Sequence, residues 1–448
     1  MNAHRLNWPR LISSGFTSSR SAPALATRSL PTSPSPSSAA ICQACWKSRR
    51  RIGASRRAYS SSTEAVLSQL PTSGVASLTS RRLISVSGPD AAKYLQGVIT
   101  ASILRLQAST DVETGTTTPP VALYSAFLSA QGRVLHDVFV YRDTLGIGKD
   151  TDAGANSYLI EVDAEAAATL TKHIKRYKLR AKFDVRLLEV DELTVWHGWG
   201  LADTPKADGG IAHHDTRAPN LGWRFVSPAA TLPKQVELDV FTESVYRVHR
   251  YLLGVAEGQR EILYNQALPL ESNMDIMGGI DYHKGCYVGQ ELTIRTRHRG
   301  VVRKRILPCI VYGEDEAAPN TLSLAASAAG NGIADMIPVE TSIGRVGKKG
   351  RSAGKWLSGV GNLGLALCRL ETMTDIVLPG EAAAAAATAT FSPASEFLMN
   401  VVTPRAAATE EAIKSDAEAK ESEHTIPIKI KAFVPDWLRQ GLAPVVSS

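Results

Sequence analysis

The chain has 448 residues, enough for two or three domains, and its 44% hydrophobic content can fill real cores. No run of ~18 or more apolar residues occurs, which argues against a membrane-spanning helix. The formal charge of +7 is uneven, because nine Arg, one Lys and no acidic residue precede Glu64; from there on 40 basic residues stand against 43 acidic ones, so no strongly basic, nucleic-acid-binding body is indicated.

The leader, residues 1–63, is Arg- and Ser-rich and ends in RRAYSSST. This composition predicts a mitochondrial transit peptide, and the competing reading is a basic tail that binds nucleic acid. Cys42 and Cys45 form a C-x-x-C inside it, with no second pair at zinc spacing. From residue 75 the pattern becomes short alternating segments, and residues 81–88 (RRLISVSG) read as a half-buried strand. A helix follows, capped by Ser87 or Asp90, with Ala91, Tyr94, Leu95 and Val98 on its apolar face. Residues 111–120 form a loop, and residues 121–142 a hairpin turning at Ala130-Gln131-Gly132 with one face inward.

Residues 157–165 predict a strand, then a helix through AATLTKHIKRYKL whose Lys172, Lys175, Arg176 and Lys178 make a basic side, either solvated or facing an anion. KFDVRLLEV and LTVWHGWG continue as strands. Residues 202–214 read as a loop that leaves His213 and His214 on the surface, since no further ligands stand at metal spacing. A helix over 240–256 places Val245, Val248, Tyr251 and Leu252 on one face and closes at Gly254. This order of strands and helices predicts an α+β fold rather than a doubly wound α/β fold.

Residues 281–305, DYHKGCYVGQELTIRTRHRGVVRKR, hold one cysteine in a glycine-punctuated turn among basic residues. Gly285 and Gly289 suit positive φ or a close backbone approach. His283 and Lys284 favour the thiolate of Cys286 if the loop exposes it; a buried, inert cysteine is the other reading. Beyond residue 305 the chain is strand-rich, and Cys309 and Cys368 read as packed strand residues. It is interrupted at 313–332 and by an Ala-rich, then acidic insertion at 381–423, around which AGKWLSGVGNLGLALCRLE and TIPIKIKAFVPDWL supply strands for a small barrel against which Trp437 packs. No nucleophile elbow, Walker loop, dinucleotide fingerprint or H-E-x-x-H is present.

Lys284, Gly285, Cys286, Tyr287, Gly289, Gln290 and Glu291 fit every fixed place of K-G-C-Y-x-G-Q-E, and in this the chain resembles the folate-binding, aminomethyltransferase-like proteins that assist iron-sulfur cluster assembly. The resemblance extends to ALPLESN (267–273), RTRHRGVVRKR (295–305), SGPDAAKYLQGVIT (87–100), SAFLSAQGRVLHD (125–137) and DTRAPNLGWR (215–224). It implies an aminomethyltransferase-like folate-binding fold: two intertwined α+β subdomains over 64–300 and a C-terminal β-barrel domain over 301–448. It also implies a mitochondrial matrix factor for maturation of 4Fe-4S proteins, with aconitase-type and radical-SAM clients, and not an enzyme. A folate-dependent one-carbon transferase is the alternative, although no catalytic carboxylate can be assigned.

Iron-sulfur clusters are held by about four ligands, mostly thiolates, so Cys286 would share its cluster with a partner. The resemblance names A-type iron-sulfur carrier proteins as that partner class and tetrahydrofolate as a further ligand. Arg295, Arg297 and Arg299, read as a strand with three guanidiniums on one face, are either simply solvated or a site for a folate glutamyl tail or an acidic partner. Neither a nucleic-acid partner nor a membrane span is expected.

Overall fold

A computed structural model describes residues 70–107, 120–148, 156–201, 205, 209–228, 238–325, 332–347, 350–378, 391–403 and 424–442. The leader, the Cys42/Cys45 pair and nearly all of the 111–120 loop lie outside these residues.

The first sheet gathers β1 (Gly74–Ser77), β7 (Leu193–Trp199), β8 (Ile211–His214), β9 (Trp223–Pro228) and β10 (Val240–Phe241) in the order β10-β1-β7-β9-β8. The second gathers β2 (Arg81–Ser87), β3 (Ala122–Leu128), β4 (Val134–Arg142), β5 (Ser157–Asp163) and β6 (Asp184–Leu187) in the order β3-β4-β5-β2-β6. Because β1 lies in the first sheet and β2, a few residues on, in the second, the two halves are intertwined in sequence. The second sheet is a middle layer. Leu123, Phe127, Val138, Val140, Ile84 and Ile160 pack under helices α1 (Ala91–Val98) and α2 (Ala167–Tyr177). The alternate residues Tyr124, Ala126, Phe139, Tyr141, Leu83 and Leu159 face the first sheet and helix α3 (Glu243–Leu253). The β3-β4 hairpin is therefore buried on both faces, not one as alternation suggests, since a helix layer covers the side that would otherwise meet water.

The third unit is a closed barrel of β11 (Lys304–Tyr312), β14 (Leu363–Arg369), β13 (Gly354–Val360), β12 (Ser342–Arg345), β15 (Phe397–Thr403) and β16 (His424–Ala432). Closure pairs every strand edge. Leu307, Cys309, Val311, Trp356, Ala366 and Cys368 fill the interior, whereas Ile306, Ile310, Leu363 and Leu365 join the core shared with the two sheets. Cys309 and Cys368 are packed as expected. The stretch 381–423 is not one insertion, because β15 lies within it and pairs with both β12 and β16; its Ala-rich and acidic parts, 379–390 and 404–423, lie outside the described residues. Trp437 packs on the barrel core, and its Nε1 donates to the Leu253 carbonyl at the end of α3, 2.9 Å away.

Charged side chains stitch the layers together. Arg224 of β9 donates to Glu161 of β5, to Glu257 and, at 3.2 Å, to Asp215, while its guanidinium lies 4.3 Å from the Phe139 ring centroid. Arg217 pairs with Asp215 at 2.7 Å and Glu257 at 2.8 Å, and Arg81 with Glu161 at 2.8 Å. Arg250 of α3 takes both oxygens of Glu261, at 2.8 and 3.0 Å. Each of these four arginines is almost fully buried, and their charge-assisted bonds fix how the two sheets and α3 meet. His213 also belongs to this interior. Of the residues expected as a surface loop, 211–214 form β8; His214 is exposed as expected, whereas the half-buried His213 ring stands edge-on to Phe139 and Tyr141 at 6.0 and 6.4 Å.

Burial lowers the pKa of His136 and His213 to about 4 and of His197 to about 3, from 6.5. In the unfolded chain the same rings take up protons below about pH 6.5, so the fold is favoured above that pH and loses stability as pH falls toward 4. Asp215 and Glu257, whose pKa values are depressed by their arginine partners despite burial, extend the loss to lower pH; Asp137, raised by burial, opposes it. Urea unfolding followed between pH 7 and pH 5 is expected to show stability falling by about 1 kcal/mol or more per pH unit. A flat profile would contradict the neutral state of these histidines in the folded protein.

Candidate functional site

The cysteine loop is fastened at both ends to a neighbouring segment of α1 and the turn after it. The Asp281 N–H donates to the Thr100 carbonyl at 3.0 Å, and the Val288 N–H to the Gly97 carbonyl at 3.0 Å. Between them the Lys284 ammonium donates to the carbonyls of Ile99 and Ala101, at 2.7 and 2.8 Å. Burial lowers this lysine to about 8, with Asp281 opposing, and its Nζ also lies 5.1 Å from the Tyr287 ring centroid. Tyr287 is buried, while Cys286, between these anchors, is exposed. Lys284, expected as a cationic neighbour of the thiol, instead spends its ammonium on holding the loop down.

A second fastening joins the loop to the β3-β4 turn. Gly289 has φ +79°, and a Cβ there would collide with the Ser129 carbonyl oxygen; Gly132 has φ +80°, and a Cβ there would stand 2.9 Å from the Gly289 oxygen. The two backbones touch because neither carries a side chain. Gly285 is different, since its φ is not positive and a Cβ would meet nothing within 4 Å. Only one of the two motif glycines is thus required by the backbone. The Gln290 Oε1 accepts from the Tyr287 N–H at 3.2 Å, closing the turn from which α4 (Gln290–Arg299) starts.

That helix replaces the expected arginine strand. At 100° per residue Arg295 and Arg299 fall on one side with Gln290, Glu291, Ile294 and His298, all lining one shallow exposed face. Arg297 turns toward the protein, its guanidinium 5.0 Å from the Tyr282 ring centroid. Leu292 and the buried Thr293 attach the inner side. The period-two pattern misleads because Gln290, Glu291 and Leu292 after a left-handed N-cap glycine start a helix, which the alternation of Arg with Thr and His obscures. Glu291 is exposed and lies 3.9 Å from Arg295 one turn on.

Two more enclosed cavities lie elsewhere. One, about 490 Å³, runs between the barrel and residues 261–272 and includes Arg133, Lys304 and the buried, unpartnered Ser272 hydroxyl. The other, about 360 Å³, reaches Arg81, Arg250 and Glu257 of the buried charge lattice. None of Arg295, Arg297 and Arg299 lines either one, and between the two sheets Arg217 and Arg224 pack over the Phe139 ring. Among the described residues no group of three or more His, Cys, Asp or Glu side chains could hold a metal ion. Gly132 and the 97–101 carbonyls escape sequence reasoning as site residues; their only signal is that SAFLSAQGRVLHD and SGPDAAKYLQGVIT accompany the cysteine motif.

A family model described as the CAF17 C-terminal beta-barrel domain matches residues 303–396. The "Iron-sulfur cluster assembly factor IBA57 homolog, mitochondrial" of Chaetomium globosum is 50% identical over 392 residues, covering 83% of this chain and 84% of its own. The protein of the same name from Pyricularia oryzae is 55% identical over 380 residues, covering 83% and 86%. Among solved structures, the glycine cleavage system aminomethyltransferase T from Bartonella henselae is similar at a TM-score of 0.50 and 11% identity, over 83% of this chain and 88% of that one, a likeness of fold.

The glycine contact gives a paired test. Gly289→Ala should cost about 1–3 kcal/mol, because it adds left-handed strain and a clash with a backbone oxygen, whereas Gly285→Ala should be nearly neutral. Thermal unfolding of both variants decides it, and equal effects would show that the hairpin contact does not hold the loop.

Proposed function

Taking as premise that this chain belongs to the IBA57 family of mitochondrial iron-sulfur cluster assembly factors, we propose that it works as a non-catalytic factor in the mitochondrial matrix, with Cys286 lending one thiolate to a cluster in transit to 4Fe-4S client enzymes. The observation that carries this reading is an exposed thiol on a loop whose backbone is fixed on both sides. Iron is ligated by the thiolate form of a cysteine. A cluster needs about four ligands, and among the described residues no group of three or more His, Cys, Asp or Glu side chains is placed to hold a metal, so on this reading a partner supplies the rest. Carrier proteins of the A type suit that role, with the cluster as cargo between the two chains. Rigid anchoring then has a purpose, because a ligand already in place loses little conformational freedom when the shared cluster forms.

Tetrahydrofolate does not fit the arginine row that the sequence offers for it. Arg295 and Arg299 line a shallow exposed face, and Arg297 lies apart from them over the Tyr282 ring. No step is therefore routed through folate, and no observation favours the one-carbon transferase reading.

In cells whose only copy carries Cys286→Ser, aconitase-type activity should fall to the level of cells lacking the protein, while the variant stays as abundant as wild type. Serine keeps the size but replaces a soft ligand by a hard, protonated one. Normal activity at normal abundance would overturn the assignment; a parallel loss of abundance would return Cys286 to a packing role.

A further inference from the structure

We propose that the outward face of α4, together with the adjoining Cys286 loop, is the docking surface for the acidic face of a partner protein that carries the remaining thiolate ligands. This rests on the shared-cluster reading of Cys286 and goes beyond it by assigning the surface.

Three observations converge. First, α4 is a ten-residue helix that buries one side chain, Thr293, so its form is not explained by core packing. Its exposed half carries Arg295, Arg299 and His298 around the half-buried Ile294, and the exposed Val288 and Val301 flank it at either end. A basic rim around apolar contacts is a common interface composition. Second, the charge is local. Residues 283–304 hold six Lys or Arg and a single acidic residue, Glu291, whereas the rest of the chain from Glu64 has 34 basic residues against 42 acidic. The stretch is thus far more basic than the rest of the chain beyond the leader. Basic residues in the last turn also complement the helix dipole, which accounts for Arg297, His298 and Arg299 but not for Arg295 or for the exposed aliphatic residues. Third, the only exposed cysteine among the described residues lies at the edge of this patch.

The chemistry of the occupant follows. An acidic surface would be steered toward the patch, while a second copy of this chain would bring like charge against like and be kept from a Cys286-to-Cys286 contact. Nucleic acid fits less well, because base stacking needs exposed aromatic rings, and here Tyr287 is buried and Tyr282 lies beneath Arg297.

The test measures association of the full chain with an A-type carrier reconstituted with iron and sulfide, by stopped flow at low and at physiological salt. Arg295→Glu/Arg299→Glu should slow association about tenfold or more at low salt and flatten its salt dependence. The same variant should keep its melting temperature and the maleimide labelling rate of Cys286. An unchanged association rate and salt slope would overturn the surface assignment even if the cluster reading holds. Cys286→Ser separates the two claims: it should associate at the wild-type rate without forming a complex that absorbs in the visible. If wild type and carrier do not associate at all, the shared-cluster reading fails and the docking surface with it. Binding of an RNA oligonucleotide by wild type at physiological salt, lost in the arginine variant, would overturn the choice of a protein partner.

Discussion

The fold depends on a lattice of buried ion pairs centred on Arg224. From β9 this guanidinium reaches Glu161 in the second sheet, Asp215 beside the first, and Glu257 in the loop after α3, while stacking on Phe139. Hydrophobic burial alone would let two sheets slide across one another. Bidentate and shared hydrogen bonds do not, because each oxygen and nitrogen has few acceptable directions. The cost of burying so much charge is met only if every partner is present, so this lattice fixes the layer arrangement more than it adds to stability.

That arrangement decides where the cysteine stands. The second sheet supplies the β3-β4 turn on which Gly289 rests, and α1, packed on the other face of the same sheet, ends in the carbonyls that hold Lys284. Cys286 lies between two fastenings that belong to one rigid layer. The loop therefore presents its thiol without being part of the core. The helix that follows extends the same surface, and Arg295, Arg297 and Arg299 make it basic.

Much of this is legible in the sequence, and the failures have physical causes. Apolar spacing locates α1, α2, α3 and most strands because those segments bury one consistent face. Burial of β3 and β4 on both sides is not legible, since a middle layer needs apolar residues at both parities and the hairpin still alternates in size and polarity. His213 reads as a surface residue because its ring packs against residues of a different strand pair, a contact without local signature. The α4 arginines read as a strand since alternation with Thr and His mimics period two, while the helix is held from outside by Gly132 and Tyr282. The cysteine motif is plain in the sequence, yet the reason for its second glycine lies about 150 residues away, in Gly132.

On the proposed function, the Cys286 sulfur itself binds iron in the complex with a carrier. Replacing Cys286 by selenocysteine and recording selenium-edge X-ray absorption of the complex assembled with iron and sulfide examines that atom alone. Iron is expected in the first coordination shell of selenium, and is expected to be absent when carrier is left out. A shell containing only carbon, in a complex that nevertheless holds a cluster, would contradict it.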